Sequence, residues 1–83
     1  MNDGHRMKYT QYFLSTRERT DRAVISLEWI ETVIENPIRE EIQSDGRIRR
    51  WAYITEVEKY LRVVLLEDRK TIHNAFFDRS YKV

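Results

Sequence analysis

The chain has no cysteine, so neither disulfides nor thiolate metal sites brace it. Its two glycines, Gly4 and Gly46, are too few and too far apart for a glycine-rich phosphate loop. No apolar run approaches the length of a membrane span. The opening residues MNDGHRMK lack the apolar stretch of a signal peptide, so a cytoplasmic protein with no membrane partner is expected. Charge of one sign is also lacking: 35% of residues are charged, yet the net charge is only +1. A strongly basic footprint, the usual mark of a nucleic-acid-binding domain, is absent, and only the placement of the cations carries information. Two histidines, His5 and His73, lie far apart, so no metal site and no cofactor is expected.

What is present fits one small domain. A chain of 83 residues buries only about 60% of the surface its unfolded form exposes, so its core is thin. Residues 1–8 are polar and without period, and are expected to be a disordered tail that includes His5. Residues 9–83 are expected to form a single α+β domain.

Along that domain, Tyr9–Leu14 is β-prone and reads as a short strand. Ser15 or Thr16 then caps a charged helical turn through Arg17–Arg22. The next helix is better marked. Ser26 is an N-cap, Glu28 suits the helix dipole, and Ile25 with Ile30 forms a hydrophobic staple. Leu27, Ile30, Val33 and Ile34 recur at helical spacing, and Asn36-Pro37 ends the run. Asp45-Gly46 signals a two-residue hairpin turn, which pairs Glu41 with Arg50, Ile42 with Arg49 and Glu40 with Trp51. That register sends Ile38, Ile42, Trp51 and Tyr53 to the core. A second hairpin turns at Glu67–Lys70 and opposes Leu65 to Ile72, Val63 to Asn74 and Leu61 to Phe76. The expected architecture is one to two helices packed on one face of a three- to four-stranded antiparallel β-meander. Val64, Phe77 and Ile48 are expected opposite the helix face, where they leave apolar area that a homo-oligomer would cover.

The reverse face holds the candidate chemistry. His73 titrates near neutrality and can act as general acid or base, and Arg62 and Arg50 share its expected face as phosphate clamps. The bland alternative is a strand histidine hydrogen-bonded to a neighbour. Arg47, Arg49 and Arg50 beside Trp51 and Tyr53 combine cations with stacking groups, as binders of single-stranded RNA do. The competing reading is an ordinary solvated rim around the turn. Tyr60 and Arg79 complete the candidate nucleic-acid-binding set as substrate-positioning groups. Glu28, Glu31 and Glu35 read as a solvated helix face.

The segment Asp21–Pro37, DRAVISLEWIETVIENP, followed by the Asp-Gly hairpin and two further strands, resembles a family of small bacterial proteins of unknown function. There an arginine precedes an isoleucine-serine pair that opens a helix closing on Asn-Pro; here these are Arg22, Ile25, Ser26, Asn36 and Pro37. The resemblance covers Ser15 to the C-terminus. Family members commonly carry a histidine upstream of the arginine, and Ser15–Arg19 holds none. More distantly, the order of short helix, helix and antiparallel strands is similar to the RelE and BrnT toxins, small ribonucleases paired with antitoxins. That similarity implies a toxin-like, metal-independent ribonuclease with RNA and an antitoxin-like protein as partners. The alternative is a non-catalytic interaction module that uses the exposed sheet face or a homodimer.

Overall fold

A computed structural model of the chain describes residues 8–82. The expected tail, residues 1–8, lies outside these except for Lys8, and so does His5. Three helices and five strands follow in the order β1 (Lys8–Tyr9), α1 (Gln11–Thr16), α2 (Thr20–Ala23), α3 (Leu27–Glu35), β2 (Arg39–Ile42), β3 (Ile48–Ile54), β4 (Lys59–Leu65) and β5 (Thr71–Phe77). The fold is α+β. Its sheet has five strands in the order β1-β5-β4-β3-β2, and it is mixed, because β1 runs parallel to β5. The antiparallel meander expected from the sequence therefore gains an extra edge strand.

The N-terminal elements depart from expectation because a cap overrides strand propensity. Only Lys8 and Tyr9 join the sheet, opposite Thr71 and Ile72. At Thr10 the side chain accepts from Phe13 N at 3.0 Å, and the chain turns into α1. The turn drops Phe13 into the core, where it is 1% exposed and stacks on Tyr9 at 5.3 Å. Burying that ring outweighs the β preference of the segment. The charged turn forms later than expected, as α2 at Thr20–Ala23.

In α3 the local signals hold. Ser26 Oγ accepts from Trp29 N at 3.1 Å, and Asn36 leaves the helical region at φ −135°. Ile30 and Val33 are fully buried, whereas Leu27 is exposed. They pack with Phe13 and Ile25 against Ile48, Ala52, Ile54, Leu61, Val63, Leu65, Ile72 and Ala75.

Both hairpin registers differ from the expected ones, each by one residue. In the first, Gln43 N donates to Arg47 O at 2.7 Å, so Ser44, Asp45 and Gly46 form a three-residue loop. Gly46 takes φ +90°, which suits the left-handed residue of such loops. A Cβ there would also meet the Glu67 side chain at 2.6 Å. The pairs become Glu40 with Arg50, Glu41 with Arg49 and Ile42 with Ile48. A slip of one residue inverts the faces of β2 against β3. Ile38, Ile42 and Tyr53 are consequently exposed, while Ile48 and Ala52 enter the core. Trp51 is buried, but on the face away from the helices, where it meets Asp78 and Tyr81. In the second hairpin Leu65 opposes Ile72 as expected, then an irregularity at Val64/Leu65 shifts the rest. Val63 opposes Ala75 and Leu61 opposes Phe77, so Phe77 and Ile48, not Phe76, lie on the helix side.

Ile30→Ala should cost about 2–5 kcal/mol in urea unfolding, since it opens a cavity under the helix. Val24→Ala, at a site 64% exposed, should change stability by less than about 0.5 kcal/mol. Equal losses at the two sites would mean that the buried stripe of α3 has been misassigned.

Candidate functional site

The sheet face away from the helices is built from Arg49, Trp51 and Tyr53 of β3, Tyr60, Arg62 and Val64 of β4, and Asn74 and Phe76 of β5. Residues after β5 fold back over it. Asp78 N donates to Tyr60 O at 2.9 Å, which sets the Asp78 carboxylate over the sheet. One carboxylate oxygen accepts from Trp51 Nε1 at 2.9 Å and from Arg62 Nε at 3.2 Å, with Arg62 Nη2 at 3.0 Å completing the ion pair. The other accepts from Ser80 N at 3.0 Å and Ser80 Oγ at 2.7 Å. Asp78 is only 8% exposed, and burial alone would raise its pKa. The hydrogen bonds from Trp51 and Ser80, with the Arg62 charge, outweigh that and hold it at about 2. Arg62 is further sandwiched, its guanidinium 5.5 Å from the Trp51 ring and 4.7 Å from Phe76. Tyr81 stacks on Trp51 at 5.3 Å and leans on Tyr60 at 4.8 Å.

Beside this knot lies an open groove of about 450 Å³. Arg47, Arg49, Arg62, His73, Tyr12 and Phe76 border it, together with Gln43, Val64 and Asn74, and none of these is a carboxylate. The β5 irregularity aims His73 here, as bulges commonly re-aim a side chain. Tyr12 of α1 stacks on the imidazole at 4.9 Å, and Thr10 Oγ1 lies 3.1 Å from Nδ1. Burial, then the positive charge of Arg47, push the His73 pKa down, with Asp45 opposing them. His73 is therefore neutral at neutral pH and able to accept a proton. Arg22 braces two of the lining residues, donating to Asn74 Oδ1 at 2.7 Å and lying 5.2 Å over Phe76.

The expected site residues divide. His73, Arg62, Arg47 and Arg49 border one groove. Among the described residues, the ion pairs of Arg47 and Arg49 are long, at 3.7 Å to Asp45 and 3.7 Å to Glu41. Arg49 Nε is shielded from solvent without a hydrogen-bond partner. Arg50 does not share their face. The one-residue slip turns it toward α3, where it donates to Ile34 O at 2.9 Å and to Glu40 at 2.7 Å. Tyr60 and Arg79 border a separate hollow of about 280 Å³ with Tyr81 and Phe77. Asp78, Tyr12 and Thr10 did not emerge from the sequence as site members. Their only signals were the polar Asp-Arg-Ser after the last strand and an aromatic beside a cap.

Among the described residues, no three His, Cys, Asp or Glu side chains are placed to hold a metal ion, and no helix is long and apolar enough to cross a membrane. Comparison of the chain with protein-family models, curated proteins and solved structures finds no match.

Because the Asp78 pKa is about 2 in the folded protein and 3.8 when free, its contribution is present above pH 3.8 and is lost as pH falls toward 2. The size is roughly 2 kcal/mol. Asp78→Asn should flatten that stretch of the stability–pH curve and cost about 1–3 kcal/mol at neutral pH, leaving the part due to Asp68, whose carboxylate accepts from Thr71 and Lys70 and is likewise held at about 2. An unchanged curve in urea unfolding across pH 2–5 would show that the carboxylate is not the acid-sensitive element.

Proposed function

We propose that the groove binds the phosphodiester backbone of single-stranded RNA, and that His73 cleaves it without a metal. The observation that carries this reading is the meeting of Arg47, Arg49 and a neutral His73 in one groove whose lining includes no carboxylate. Arg47 and Arg49 would take the phosphate, since their ion pairs are longer than that of Arg62 in the same groove. Arg62, tied to Asp78, would shape the groove and add field more than a direct contact. Tyr12 and Phe76 offer ring surface for a base.

In the reaction His73 removes the 2′-hydroxyl proton, the 2′-oxygen attacks phosphorus, and the bond to the 5′-oxygen breaks. The products are a 2′,3′-cyclic phosphate and a 5′-hydroxyl that takes its proton from solvent. The arginines stabilise the charge that grows on the phosphorane. Such a protein would act in the cytoplasm, and an antitoxin-like protein would silence it by covering the same groove, as the toxin resemblance implies. A second reading, a non-catalytic binding module, is favoured by the commitment of Arg62 to Asp78.

Fluorescence anisotropy with a single-stranded RNA at low salt should show binding that weakens as salt rises. Arg47→Ala or Arg49→Ala should each reduce the salt slope by about 0.7 per lost phosphate contact. His73→Ala should bind nearly as well and cleave roughly 10²-fold more slowly. The rate should rise with pH through a midpoint below the ordinary histidine value, because the unprotonated ring is the base and its pKa is lowered. Binding without cleavage would favour the non-catalytic reading, and no binding at low salt would end the RNA proposal.

A further inference from the structure

The outer edge of β2 carries a pattern that matches itself. Among the described residues, β2 is the last strand of the sheet and pairs only with β3. The bond from Gln43 N to Arg47 O makes Gln43 a hydrogen-bonded position, and these alternate along an antiparallel ladder. Glu41 and Arg39 thus turn their backbone groups inward to β3, while Glu40 and Ile42 turn theirs outward. On the helix side of the edge Ile42, the last residue of β2, is 62% exposed, while Ile38, just before the strand, donates its N–H inward to Trp51 O at 2.8 Å. On the open side lie Arg39 and Glu41, joined at 2.6 Å.

We propose that a second copy of this chain pairs with β2 in antiparallel fashion, with Glu40 on the two-fold axis. In that register Arg39 opposes Glu41 of the second copy, and the pair occurs twice. The two Arg39–Glu41 pairs close into a ring of four alternating charges on the open side. Glu40 meets its own copy through two backbone hydrogen bonds, since its N–H and C=O both face outward. The like charges there are offset within each chain: Arg50 holds Glu40 at 2.7 Å and Arg69 approaches it at 3.5 Å. Shifting the axis by one residue fails. It sets Glu41 against itself or Arg39 against itself, and turns inward-facing amides toward the partner. Since opposed residues share a face, two five-stranded sheets become one of ten, with both grooves on the same side.

Charge reversal tests the register. Wild-type protein should sediment as a dimer at roughly 100 µM. Arg39→Glu and Glu41→Arg, each alone, should weaken self-association about tenfold or more, because each places like charges across the axis. Circular dichroism should match wild type for both. Mixing the two variants should restore a dimer, now a heterodimer visible by native mass spectrometry. In that mixture the carboxylate introduced on one chain faces the guanidinium introduced on the other. A monomeric wild type, or a dimer indifferent to both substitutions, overturns the proposal, and so does a mixture that stays monomeric. RNA binding by a monomeric variant would leave the groove reading standing whatever the outcome here.

Discussion

The hydrogen bond from Gln43 N to Arg47 O decides more about this molecule than its 2.7 Å suggests. It fixes a three-residue loop, and with it which of two adjacent arginines faces which side of the sheet. Arg50 goes under α3, where it donates to the helix carbonyl of Ile34 and joins the end of α3 to the edge strand through Glu40. Arg49 goes to the open face and borders the groove. The same choice sends Ile48, Ala52 and Ile54 inward to meet Ile30 and Val33. With a core this thin, the register is held by the apolar side chains it buries, because the alternative would bury Tyr53 and Ile42 and expose Ile48.

On the open face a second constraint operates. A buried carboxylate is costly without donors, and Asp78 collects them from an indole, a guanidinium and a serine. The arrangement fastens the segment after β5 across the sheet and keeps Tyr81 against Trp51 and Tyr60. It also consumes the charge of Arg62, although that residue stands in the middle of the basic groove. The free positive field then comes from the β3 hairpin, from Arg47 and Arg49. Arg47 is also one of the groups that keep His73 neutral. A phosphate that neutralised Arg47 would relieve this and make the imidazole more basic at the moment a proton is to be removed.

Much of the helix layer was legible in the sequence, because its signals are local. Ser26, Glu28, the Ile30/Val33 spacing and Asn36-Pro37 act within one turn of where they stand. The meander order of β2 to β5 was legible for the same reason. What failed was register. Asp-Gly serves both a two-residue turn and a three-residue loop with glycine in the left-handed position, and only packing across the sheet chooses between them. The irregularity beside His73 has no local mark at all. Nor does the parallel pairing of Lys8 and Tyr9 with β5, which depends on contacts more than sixty residues apart. His73 and Arg62 still border one groove, but the partners that define them, Thr10, Tyr12 and Asp78, come from segments whose structure sequence periodicity does not report.

The edge and the groove share one side chain, and this links the two proposals. Glu41 lies 2.6 Å from Arg39 and 3.7 Å from Arg49, so it partly neutralises a groove cation in the single chain. In the paired edge, Arg39 of the second copy would supply Glu41 with a further cation. Glu41 then has less reason to lean toward Arg49, whose Nε already lacks a partner. Pairing along β2 would therefore raise the positive potential of both grooves on their common side, and an extended anion spanning them would in turn favour the pair. Reciprocity of this kind follows from linkage, since whatever strengthens anion binding in the dimer must strengthen the dimer when the anion is bound.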